Sequence, residues 1–240
     1  LTTFSKILSS FSEAEVKFFC LSGNHDKSSL VSPDSFLNPF SGWHCFHLYR
    51  EYDYSDYKEV GIRFHFIPYF DEKLSYRQYL DQAIKNIRFD FKNILFTHIA
   101  ISGVSNNDGS KIQNEIEAGL FKHFHKVLVG HYHERQIFSN NIIYTGSAYQ
   151  ANFGENDQKG CTVIYSDGST EFIQLDFPRY ITIEKKNEEQ IVHAMHGYNV
   201  RVKFKYKPTE AEIQHLQLQG IKTEIDYQQE LINHTQDVKT

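Results

Sequence analysis

The segment Val127–His133, VLVGHYH, constrains this chain most. Its apolar start reads as a short buried strand, and Gly130 lets the backbone turn tightly where that strand ends. His131 and His133 then leave the strand tip two residues apart, with both imidazoles able to reach one point in space. Neutral imidazole is the commonest metal ligand near pH 7. With 13 histidines in 240 residues, a pair of surface histidines is the plain alternative for this segment taken alone.

The same arrangement recurs. Phe18–Leu21 (FFCL) runs into Ser22-Gly23-Asn24-His25-Asp26, and Ile94–Phe96 runs into Thr97 and His98. In an open α/β sheet, ligands gather outside the carboxyl ends of the strands, so three such strand ends predict one shared crevice. An Asn carbonyl oxygen with three imidazoles suits a borderline divalent ion such as Mn2+, Fe2+ or Zn2+.

In order and spacing, GNHD (Gly23–Asp26), His98 after a strand and GHYH (Gly130–His133) resemble the calcineurin-like metallophosphoesterases. YTGS (Tyr144–Ser147), NFGE (Asn152–Glu155) and KGC (Lys159–Cys161) are similar to segments of the DNA exonuclease subunit of the SbcCD type, a resemblance that spans residues 2–184. It implies an α/β fold of two packed mixed β-sheets flanked by helices, with a small α/β C-terminal capping domain. The implied division is a nuclease domain over 1–178, a capping domain over 179–227 and a polar tail over 228–240. The implied activity is metal-dependent phosphodiester hydrolysis of DNA in repair and recombination, with two divalent ions, Mn2+ foremost. The implied partners are DNA, a coiled-coil ATPase subunit of the SbcC type and a second copy in a homodimer.

Residue by residue, the resemblance makes Asn24, His98 and His131 ligands of one metal and His133 a ligand of the other. His25 would contact the phosphate or protonate the leaving oxygen. Asp26 would orient His25, or else cap the loop through backbone hydrogen bonds. The family's Asp-x-His and Gly-Asp motifs, carried on earlier strands, do not occur in these 240 residues. The expectation is a truncated record of an active enzyme, whose second metal site is incomplete in this polypeptide. Taken alone it should bind metal weakly and cut DNA poorly. The alternatives are a phosphoesterase-fold scaffold that binds without catalysis, and a phosphatase or phosphodiesterase acting on a small substrate.

A formal charge of −5 argues against indiscriminate nucleic-acid binding, although a basic groove can exist on an acidic protein. Cys20, Cys45 and Cys161 have no zinc-type spacing and read as buried reduced thiols. No apolar run approaches a membrane span and no signal peptide opens the chain, so a soluble, cytoplasmic protein without membrane contact is expected.

Phe4, Ile7, Leu8 and Phe11 predict a helix over 3–14. Strands are predicted at Val16–Leu21, Cys45–Tyr49, Gly61–Ile67, Lys92–Thr97 and Lys126–Val129, with Glu51–Glu59 as a solvated loop. Leu74–Phe89 reads as a helix, Ile99–Glu117 as a polar loop with a weak helix near its end, and Gly119–His125 as a short helix whose histidines face solvent. Asn141–Thr145, Thr162–Ser166 and Glu171–Asp176 suggest a second sheet, the last two joined by a hairpin turn at Ser166–Ser169. Beyond Pro178, helix Glu188–His196, strand Asn199–Tyr206, helix Glu210–Gln219 and strand Ile221–Tyr227 follow. Thr209 and Glu212 form a capping box there, and Gly220 marks the stop. Lys203, Lys205 and Lys207 alternate and would share one face, as DNA phosphate contacts or as lysines guarding a sheet edge.

Overall fold

The computed structural model describes residues 2–71, 75–106, 109–114, 116–195 and 197–226. Among the described residues it is a mixed α/β structure with several sheets and three α-helices. Two compact units divide it: residues 1–148 with 158–176, and residues 149–157 with 177–240. Residues 149–157, placed within the first domain by sequence, thus belong to the second unit.

The first unit opens with α1 (Thr2–Glu13), whose Leu8 is fully buried against Phe40, Cys45 and Phe46. Next come β1 (Phe18–Leu21) and β2 (Phe46–Tyr49), paired in parallel. The main sheet has six strands: β3 (Asp53–Tyr57), β4 (Ile62–Ile67), β5 (Lys92–His98), β6 (Lys126–Gly130), β7 (Gln136–Ile137) and β8 (Ile142–Tyr144). Their order is β3-β4-β5-β6-β8-β7; β4, β5, β6 and β8 run parallel, and β3 and β7 are antiparallel edges. Parallel strands buried on both faces read as continuous apolar runs, which is the pattern of β5 and β6. The β1–β2 pair lies against this sheet through Tyr49 stacked on Phe66, with ring centroids 3.9 Å apart.

Helix α2 (Ser75–Lys85) buries Tyr76, Leu80 and Ala83 on one stripe against Leu95, Val127 and Val129. Leu74, predicted to begin it, lies outside the described residues. A second ribbon pairs β9 (Gly160–Ile164) with β10 (Thr170–Gln174). Its turn closes through the Gly168 amide donating to the Tyr165 carbonyl at 2.8 Å, with Gly168 at φ +79.

Several expectations are corrected. Glu51–Glu59 is not a solvated loop: Asp53–Tyr57 is an edge strand, held where the Arg63 Nε donates to Asp56 Oδ1 at 2.6 Å. The 99–117 segment contains no α-helix among its described residues, and Ile99, Ala100, Ile101 and Val104 are buried rather than polar loop. Tyr144 Oη secures it, donating to the Ile99 carbonyl at 3.0 Å and accepting from the Ile101 amide at 2.9 Å. The short helix expected at Gly119–His125 is a 3-10 helix, Ala118–Phe121, and His123 and His125 are exposed. Of the cysteines only Cys45 is buried; Cys20 is half-buried and Cys161 is exposed.

The second unit has a three-stranded parallel sheet, β11 (Tyr180–Lys185), β12 (Asn199–Phe204) and β13 (Lys222–Ile225), with α3 (Glu210–Leu218). Strand β11 was not anticipated, and the helix expected over 188–196 is absent: its described residues form a turn and irregular chain. Thr209 does cap α3, its hydroxyl accepting from the Glu212 amide at 3.2 Å while Glu212 accepts from the Thr209 amide at 3.0 Å. The predicted tail, 228–240, lies outside the described residues, as does Tyr227. Among the described residues no helix is long and apolar enough to cross a membrane.

Candidate metal centre

Strand pairing brings the expected residues together. In the β5–β6 register His98 stands opposite Gly130, so the next residue, His131, emerges beside it at the carboxyl edge. The two imidazoles meet edge to face, with centroids 5.3 Å apart. From the end of β1, a 3-10 turn over Asn24–Asp26 carries Asn24 to the same place, where its Oδ1 is 3.0 Å from His98 Nε2.

Two glycines make room for the His98 ring. A Cβ on Gly130 would lie 2.8 Å from His98 Nδ1, and one on Gly23 would lie 2.9 Å from Cε1. Here glycine is required by close approach and not by a positive φ. His131, by contrast, holds φ +104, a conformation that side-chain-bearing residues avoid and that clusters at functional sites.

Burial first, then the neighbouring His131 and His25, push the His98 pKa down to about 3. Burial likewise lowers His131, with His25 and His133 adding repulsion. Both imidazoles are therefore neutral at pH 7, the form that donates a nitrogen lone pair. Nδ1 of His131 is buried without a hydrogen-bond partner, as is the hydroxyl of Ser22 at the end of β1.

His25 sits in the turn between Asn24 and Asp26, close enough to repel both His98 and His131. The Asp26 carboxylate accepts from the Gly23 amide at 2.8 Å, which is the loop-capping role of the two expected for it. His133 neighbours His131 in the same loop. Lys203 and Lys205 lie in the second unit and are paired: Lys203 with Glu224 at 3.0 Å, and Lys205 with Asp226 at 2.7 Å and Glu184 at 3.3 Å. Because β12 ends at Phe204, Lys205 and exposed Lys207 fall beyond the strand and no three-lysine strand face forms.

Sequence reasoning missed Tyr69. Its ring stacks on His131, with centroids 6.0 Å apart, and meets His98 edge to face at 5.9 Å. Its amide donates to the Ser22 carbonyl at 2.8 Å, and its own carbonyl accepts from buried Lys27 Nζ at 2.6 Å. The available signal was its position just past β4, the parallel neighbour of β5.

No group of three or more His, Cys, Asp or Glu side chains is arranged to hold a metal ion among the described residues. The centre instead rests on two imidazoles and one amide oxygen. In this structure His98 Nε2 donates a hydrogen bond to Asn24 Oδ1 at 3.0 Å, a separation that two ligands at right angles and about 2.1 Å from an octahedral ion also have. One amide oxygen and two imidazoles are a donor set whose chemistry suits one borderline divalent ion; His133 by itself does not make a second site. No protein-family model and no curated protein matches the chain.

Proposed function

We propose that this chain is a metal-dependent phosphodiester hydrolase of the calcineurin-like kind, acting on DNA as the nuclease subunit of an SbcCD-like complex. One observation carries the reading: the Asn24 amide and the His98 and His131 imidazoles are neighbours at the carboxyl ends of β1, β5 and β6, with Asn24 Oδ1 3.0 Å from His98 Nε2 and the two rings 5.3 Å apart. The accompanying fold reading is two packed sheets flanked by helices. It is supported by the β1–β2 pair against Phe66 and by the β9–β10 ribbon, whose Phe172 ring takes the Arg135 guanidinium at 4.6 Å.

Asn24, His98 and His131 would hold the ion, Mn2+ being the expected one, and Tyr69 would wall the recess. A bound divalent ion supplies charge neutralisation at phosphate oxygens and a more acidic water. His25, at the mouth of the turn, would contact the phosphate and pass a proton to the leaving oxygen. The Asp26–Gly23 bond keeps that turn in shape. DNA, a coiled-coil ATPase and a second copy of the chain are the partners this reading carries. A donor set without a carboxylate favours a second reading, a scaffold that keeps the fold and binds without cutting.

Linear duplex DNA and an aryl phosphodiester, each offered with Mn2+, separate these readings. Slow DNA cleavage that disappears in His98→Ala supports the nuclease. Hydrolysis of the small ester alone removes it, and no hydrolysis of either leaves the scaffold.

A further inference from the structure

The YTGS and KGC segments have a physical task that their family likeness does not state. Three donors converge on the main-chain carbonyl of His133: Lys159 Nζ at 2.7 Å, the Ser147 amide at 3.1 Å and the Ser147 hydroxyl at 3.4 Å. A carbonyl oxygen has two lone pairs, so this acceptor is fully subscribed. The two segments are tied to each other, the Gly160 amide donating to the Ser147 carbonyl at 3.3 Å. Gly146 gives the chain its close passage, since a Cβ there would lie 3.1 Å from the His133 oxygen.

Lys159 is 3% exposed, and its ammonium lies 3.6 Å from Glu134 Oε1. Burying a cation is costly, and packing alone would favour an apolar side chain of similar length. What the ammonium adds is a short charge-assisted bond to one carbonyl. Two residues before that carbonyl, His131 sits at φ +104. A strained residue persists only where its surroundings over-determine it.

We infer that Lys159, with Ser147, is a positioning residue: it clamps the His133 carbonyl, holds the His131–His133 loop in its strained form and so sets the orientation of the His131 imidazole at the metal centre. The consequence for metal rests on the function proposed above; the clamp itself rests on geometry alone.

The test uses the 240-residue chain as wild type, Lys159→Met, Lys159→Arg and Ser147→Ala. Imidazole nitrogen–proton correlation spectra are recorded without metal, followed by calorimetric titration with Mn2+. The clamp predicts shifted or broadened His131 and His133 signals in Lys159→Met, unmoved His65 and His215 signals, and substantial recovery in Lys159→Arg. Mn2+ affinity should fall about 10- to 100-fold in Lys159→Met, the range seen when partners that orient metal ligands are removed. Unmoved His131 and His133 signals in a folded Lys159→Met protein overturn the inference. If Lys159→Met fails to fold, Ser147→Ala decides: a smaller shift of the same signals supports the clamp, and no shift overturns it. Shifted signals in a protein whose wild type ignores Mn2+ uphold the clamp and reject the metal reading.

Discussion

Gly130→Ala places a methyl group against the ring at the heart of the proposed centre. The added Cβ would stand 2.8 Å from His98 Nδ1, 3.5 Å from Cε1 and 3.6 Å from Cγ. Ordinary contact begins near 3.4 Å, so the imidazole must retreat by about 0.6 Å in a close-packed interior. Gly23 borders the same ring, since a Cβ built there would lie 2.9 Å from Cε1. Overpacking of this kind costs about 1–3 kcal/mol, and the stiffer unfolded chain returns about 0.4–1 kcal/mol. A net loss near 1–2 kcal/mol lowers Tm by about 2–8 °C in a protein of this size. Metal ligands tolerate displacements of about 0.2 Å, so Mn2+ affinity should also fall by about tenfold or more. Differential scanning calorimetry and calorimetric Mn2+ titration read the two effects. Gly42→Ala, whose Cβ would meet nothing within 4 Å, is the control and should leave both unchanged or slightly raise Tm. Wild-type Tm and wild-type affinity in Gly130→Ala would refute the reasoning.

Other perturbations follow from the same structure. His65 is fully buried, bridging Asn93 Oδ1 at 3.0 Å and the Tyr52 hydroxyl at 3.2 Å, and burial pushes its pKa down to about 4. The unfolded state therefore binds the extra proton between pH 6.5 and 4, and stability drops by about 3 kcal/mol as pH falls through that window; urea titrations should show this slope flattened in His65→Gln. In the second unit, hydrogen bonds from Lys185 and Tyr206 hold Glu212 down to about 2. Its contribution is complete above about pH 4.5 and is lost as pH falls towards 2, so acid titration of Glu212→Gln should lack that component. Leu80→Ala empties a fully buried position on α2 and should cost about 2–5 kcal/mol in denaturant unfolding; a loss under about 1 kcal/mol would contradict the packing described for that helix.

The residues of the recess were legible because each follows an apolar run that the sheet had to bury. FFCL, ILF and VLV are β1, β5 and β6, and the β5–β6 register delivers His98 and His131 side by side. The crowding at His98 was not legible, since the letters Gly23 and Gly130 do not distinguish a turn from a cradle. Strand β3 escaped because DYSDY is acidic and half exposed, and is held by pairing with β4 and by Arg63 rather than by an apolar face. The segment 188–196 misled in the opposite sense: Val192 is buried in the second unit's core while Ile191 is 77% exposed, so the apolar letters anchor one point instead of a helical stripe. The lysine alternation failed because β12 stops at Phe204, leaving Lys205 and Lys207 beyond the strand, and because Glu224 and Glu184 answer Lys203 and Lys205.

The central claim is that Asn24, His98 and His131 hold one divalent ion. Electron paramagnetic resonance of free Mn2+ during protein titration tests it most directly, because binding depletes the free-ion signal whether or not any substrate is cut. Weak, saturable depletion by the wild type, abolished in His98→Ala and reduced in Asn24→Ala, is the predicted result. A free-ion signal undiminished by the wild type, or depletion by both variants as deep as the wild type's, would contradict it.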